Sequence, residues 1–80
     1  MTKARILIVE DEAVVAGEIQ GVLTHLEYPV TGQVVSGEEA LASVEANLPD
    51  LVLMDIMLGG DMDGIEAAEL IHERFDIPVV

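Results

Sequence analysis

Eighty residues, 8.6 kDa, give room for one domain. Hydrophobic residues make up 51% and mean hydropathy is +0.48, which excludes an acidic disordered tail and commits the chain to a buried core. Sixteen acids against three bases leave a net charge of −13, so this segment is expected to bind no nucleic acid.

Arg5 to Val9 reads as a buried strand, ended by Glu10-Asp11-Glu12. A helix fits Ala13 to Leu26, with Val15, Ile19, Val22, Leu23 and Leu26 on one face at helical spacing. Tyr28-Pro29 breaks it. Val30 to Val35 is a second strand; Thr31 and Gln33 between apolar residues give it the look of a sheet edge. Ser36-Gly37-Glu38-Glu39 is a capping box, and the helix after it buries Ala40, Leu41 and Val44 before ending near Asn47. Leu51 to Met54 is a third, wholly apolar strand, ended by Asp55. A loop, Ile56 to Met62, leads to Asp63, an N-cap with Glu66 three residues on. That helix runs to about Arg74 with Ile65, Ala68 and Ile71 inward, and Ile77-Pro78-Val79-Val80 starts a fourth strand.

Strand and helix alternate, so right-handed crossovers predict a doubly wound parallel α/β sheet in one domain over residues 1–80. No apolar run approaches the ~18 residues of a membrane helix. No secretory leader is evident, and cysteine is absent. A cytoplasmic protein without membrane contact is the expectation.

In an open α/β sheet, ligands bind at the carboxyl ends of the strands, near the switch in strand order. The first and third strands end in acids there: Glu10-Asp11 and Asp55. If the strands are neighbours, Asp11 and Asp55 meet across one crevice. Like charges so close raise one another's pKa and cost stability unless a cation lies between them. Oxygen ligands with open positions suit Mg²⁺. Taken singly, each acid is as well explained as a turn former or helix cap; together, on apolar strands, they are not. Other nucleotide sites fit poorly. Glu10-Asp11-Glu12 replaces the glycine-rich turn of a dinucleotide fold, and no Gly-Lys-Ser/Thr is present. Asp61-Met62-Asp63-Gly64 hints at a calcium loop, but that frame puts Gly59 and Leu70 at ligand positions. His25 and His72 stand alone in helical context and read as solvated.

Ile-Leu-Ile-Val-Glu-Asp-Glu at 6–12 resembles the opening of response-regulator receiver domains. Gly37-Glu38-Glu39-Ala40-Leu41 resembles the start of their second helix, and Pro49 to Ile56 the strand bearing their phospho-acceptor. Met62-Asp63-Gly64-Ile65-Glu66 is similar to the start of their third helix, and Ile77 to Val80 to their fourth strand. The blocks span the chain in order. The resemblance implies a flavodoxin-like receiver fold with sheet order 2-1-3-4, present here as four strands and about three helices, the last strand and last two helices absent. It implies that Asp55 is the phospho-acceptor, that Asp11 binds Mg²⁺ directly and Glu10 through a water, and that the Met57 carbonyl completes the metal sphere. It also implies phosphorylation by a histidine kinase or phosphotransfer protein, and a switching module rather than a classical enzyme.

Two departures stand out. Leu58-Gly59-Gly60-Asp61 replaces the proline that many receivers carry after the acceptor strand, in a loop about one residue longer; this affects the path near Met57. The family's phosphoryl-contacting hydroxyl residue and lysine would fall beyond Val80, so a fragment is expected. Its fourth strand would then be an open edge, leaving the chain unstable or associating with other copies there. Two rival readings are a Mg²⁺-dependent phosphohydrolase and a pseudo-receiver acting only through protein contacts. Met57 occupies the place where a haloacid-dehalogenase-type site wants a second Asp, and intact Asp11 and Asp55 weigh against the pseudo-receiver.

Overall fold

The computed structural model describes residues 3–54 and 62–80. In chain order these form β1 (Ile6–Val9), α1 (Ala13–His25), β2 (Val30–Val34), α2 (Gly37–Asn47), β3 (Leu51–Met54) and α3 (Gly64–Phe75). The strands make one parallel sheet in the order β2-β1-β3. All four residues of β1 are buried, as a strand covered on both faces requires.

The chain leaves β1 toward β2, then returns past β1 to reach β3. Right-handed crossovers in opposite directions put α1 and α2 on opposite faces of the sheet. α1 packs on β1 and β2; α2 packs on the same two strands and against α3. Leu7 and Val9 point into the larger core, with Ala40, Val44, Val52, Ile71 and Ile77. Alternation turns Ile6 and Ile8 to the opposite face, where Ala16 of α1 is buried.

The 77–80 segment does not form the expected fourth strand. It runs parallel beside β3 with a single bridge, Val52 to Val79. Three backbone bonds hold it: Val52 N to Pro78 O (3.0 Å), Val80 N to Val52 O (2.9 Å) and Met54 N to Val80 O (2.9 Å). Pro78 has no N–H to donate, so the ladder does not extend through it. Among the described residues the sheet therefore has three strands, and Val80 stays exposed.

Two helix faces also differ from expectation. On α1, Val15, Ile19 and Leu23 are half-buried, but Val22 and Leu26 are 59% and 48% exposed. α1 lies over β1 and β2 only, so the flank toward β3 is uncovered among the described residues. On α3 the inward face is Gly64, Ala67 and Ile71, and Ile65 is 56% exposed. The close approach of α2 requires a small residue at Ala67. A Cβ on Gly37 would stand 3.1 Å from Ala67 Cβ and 3.0 Å from Met62 Cγ.

Among the described residues none of the helices α1, α2 and α3 ends on glycine. Glu27, Leu48 and Asp76, at φ 67°, 46° and 54°, take the left-handed conformation after α1, α2 and α3. After α1, Tyr28 N donates to Leu23 O (2.8 Å) and Glu27 N to Thr24 O (3.0 Å), the double closure of a Schellman motif. Lys3 donates to the Leu26 carbonyl and lies 4.9 Å from the Tyr28 ring centroid, while Arg5 Nη1 donates to Leu48 O at 3.3 Å. Two of the chain's three bases thus serve helix C-terminal carbonyls, where the helix dipole favours positive charge.

Candidate functional site

Parallel pairing of β1 with β3 is in register throughout: Ile6 with Leu51, Leu7 with Val52, Ile8 with Leu53, Val9 with Met54. The next residue in sequence is an acid on each side, Glu10 after Val9 and Asp55 after Met54. β2 and β3 flank β1 on opposite sides, so β1 marks the switch in strand order, where α/β sheets hold their ligands.

Glu10 extends β1 by one bond, its N–H donating to Val34 O at 3.0 Å. Its half-buried side chain folds toward the start of α1, where Oε1 accepts from Glu12 N at 3.2 Å. Asp11 is exposed, and its carboxylate has no hydrogen-bond partner among the described residues. Glu12 occupies the N-cap position of α1 in extended conformation, without a side-chain cap. The other helices that start at this edge carry the expected side-chain N-caps, though Glu39 reaches back to the Ser36 hydroxyl rather than to its backbone N–H. Ser36 Oγ accepts from Glu39 N (3.1 Å) and donates to Glu39 Oε2 (3.1 Å); Asp63 Oδ1 accepts from Glu66 N (2.8 Å). All three helix N-termini thus face the acidic edge, and their dipoles offset part of its negative charge.

Beside this edge a cleft of about 440 Å³ opens between α1 and the sheet. Val15, Ile19, Leu53 and Val80 give it apolar walls, and Glu10 and Glu12 line it as well. Glu12 reaches this wall through the turn at Asp11, which no spacing rule reveals. Asp55 and Met57, the predicted acceptor and carbonyl ligand, lie outside the described residues. Among the described residues no three His, Asp or Glu side chains converge as a metal site. What they contribute is a pair of adjacent hard oxygen donors. Asp11, with a carboxylate uncommitted to other described residues, suits a cation such as Mg²⁺ that keeps several waters. His25 and His72 are exposed, in keeping with solvated faces. No helix among the described residues is long and apolar enough to cross a membrane.

A family model described as the response regulator receiver domain matches residues 6–80. The transcriptional regulatory protein YvrH of Bacillus subtilis is 43% identical over 79 residues, which are 99% of this chain and 33% of that protein. A protein-glutamate methylesterase/protein-glutamine glutaminase of Trichodesmium erythraeum is 34% identical over 82 aligned positions, covering all of this chain and 23% of that protein. Among solved structures, the signal receiver domain of a modulated diguanylate cyclase from Desulfovibrio desulfuricans superposes with a TM-score of 0.92 at 36% identity, over 98% of this chain and 62% of that one. The chain therefore spans a third or less of these two curated relatives. Their names describe different outputs, while each shares with this chain one similar stretch.

Proposed function

Because this chain belongs to the response regulator receiver domain family, we propose that it is the phospho-accepting module of a two-component signalling system. Asp55 takes the phosphoryl group from a histidine kinase or phosphotransfer protein in the cytoplasm. The observation that carries this reading is the β1–β3 register. It ends at Val9 and Met54, and the acids Glu10 and Asp55 follow at once on the two strands.

A carboxylate oxygen of Asp55 forms the new bond to phosphorus as the bond to the donor's nitrogen breaks. Asp11 directly, Glu10 through a water, Asp55 and the Met57 carbonyl would hold Mg²⁺. The ion, when bound, supplies positive charge that offsets the anionic acceptor and phosphoryl oxygens. The helix N-termini at this edge add fixed positive potential. The Glu10–Glu12 bond holds one carboxylate at the mouth of the cleft. The acyl phosphate then shifts the domain between two states, which an output module or partner would read.

The test is intact mass after incubation with acetyl phosphate and Mg²⁺, with Asp55→Asn as control. One phosphoryl adduct on the wild type alone is expected. No adduct, in a sample shown to be folded, would overturn the phosphorylation reading and favour a scaffold that works through protein contacts alone.

A further inference from the structure

β2 pairs with β1 on one side, and on the other no described residue pairs with it. Val34 O accepts from Glu10 N, so Val34 faces β1. Gln33 and Val35, one step to either side, therefore turn their N–H and C=O groups away from β1. Pro29 and the register shift near Thr31 guard the start of this edge, but its far end from Gly32 on is uncharged. We infer that a second copy of this chain pairs here. Two β2 strands meet antiparallel across a twofold axis, and the two α1 helices lie side by side above them.

Charge is the first argument. Of the sixteen acids, only Glu18 and Glu27 fall between residues 13 and 35, the stretch that forms α1 and β2. Two copies of a −13 chain repel least where this face meets itself. The ionisable groups within α1 are Glu18 and His25.

The second argument is fit. Gln20 of α1 hydrogen-bonds to Gln33 of β2, so this side of α1 faces the open edge. Helical spacing places Ala13, Gly17, Gly21 and Thr24 around Gln20, and all four are exposed. A Cβ on Gly17 or Gly21 would meet nothing within 4 Å. α1 lies over both β1 and β2. With strands ~4.8 Å apart, a helix midway between them stands about 4.8 Å from a twofold axis just outside β2. The two helices then lie ~9.6 Å apart, inside the 8–10 Å range of packed helices and close enough to need small residues. Centred between Gln20 and Gly21, they set Gly17 against Thr24 of the second copy and Gln20 against its Gly21. On the other face Ser43 lies over Gly32, 3.9 Å from where its Cβ would be, and Asn47 bonds to Ser43, so small polar side chains flank the edge there, with Glu39 one turn further on. A patch that complements itself about a twofold is what an isologous dimer requires.

The test is sedimentation velocity on the chain from about 10 µM to about 1 mM, where weak complexes populate. A concentration-dependent dimer is expected. Gly17→Arg fills the helix–helix gap from a position whose Cβ is unobstructed in the monomer and should weaken association about tenfold or more while the thermal midpoint holds or rises. Val35→Pro removes one outward N–H, leaves the ladder to β1, and should give a monomer. A wild type monomeric across the range overturns the inference. So does a dimer that survives both variants, including one lost only on Val79→Pro, which would place pairing at the opposite edge.

Discussion

Replacing Gly37 by Ala tests how rigidly α2 and α3 are packed. The new methyl would stand 3.0 Å from Met62 Cγ and 3.1 Å from both Met62 Sδ and Ala67 Cβ. Carbon atoms prefer ~3.5–4.0 Å, so the overlap is about 0.5–1 Å. The Met62 side chain can swing aside. Ala67 is fully buried on α3 and moves only with its helix. Overpacking of this kind costs ~1–3 kcal/mol, and the helix preference of Ala over Gly returns at most ~1 kcal/mol. The expected net loss is ~1–2 kcal/mol, a fall of about 1 M in the urea midpoint if the slope is on the order of 1–2 kcal/mol/M. Gly21→Ala on α1 is the matched control. Its Cβ meets nothing within 4 Å, so only the helix preference remains and stability should rise by ~0.5–1 kcal/mol, with a higher urea midpoint. Equal effects of the two variants in urea melts followed by circular dichroism would refute the packing argument; a stabilised Gly37→Ala would show that the α2–α3 contact yields freely.

Leu48→Gly should stabilise by ~1 kcal/mol, because Leu48 holds φ 46° with a 58% exposed side chain and the strain of a left-handed Cβ is removed; a lower thermal midpoint would count against this. Asp63→Ala should cost ~1 kcal/mol by unpairing the Glu66 amide, with Asp63→Asn recovering most of it in the same melts. Asp11→Ala should weaken Mg²⁺ binding, followed by isothermal titration calorimetry; unchanged affinity would remove Asp11 from the proposed metal set.

The order of elements was legible because apolar runs of strand length alternate with helical periods, and the capping signals at Ser36 and Asp63 fix two helix starts. Their ends were less legible. A search for glycine at helix C-termini finds none here, since Glu27, Leu48 and Asp76 take that conformation instead. Tertiary closure imposes it, not local preference. The inward face of α3 was misjudged at Ile65 for a related reason. Periodicity weighs Ile above Ala, whereas the close approach of α2 at Gly37 is met by the small Ala67. Val22 and Leu26 have the right spacing for burial, but among the described residues nothing stands over them. At the candidate site, pairing of β1 with β3 could be expected from topology rules, and the register confirms that neighbourhood. The turn that brings Glu12 to the cleft wall had no signature in spacing.

The central strand is the first to be made. Leu7 and Val9 complete their core with Ile71 and Ile77, nearly seventy residues later in the chain. At about 5–20 residues per second of synthesis, β1 waits roughly 3–14 seconds for its last partners. Through that interval Ile6-Leu7-Ile8-Val9 is a bare, sticky segment of the nascent chain, the kind that seeds aggregation. Arg5 on one side and Glu10-Asp11-Glu12 on the other bracket it with charge. The acids that later crowd the functional edge are thus gatekeepers first, keeping the strand soluble until the rest of the sheet arrives.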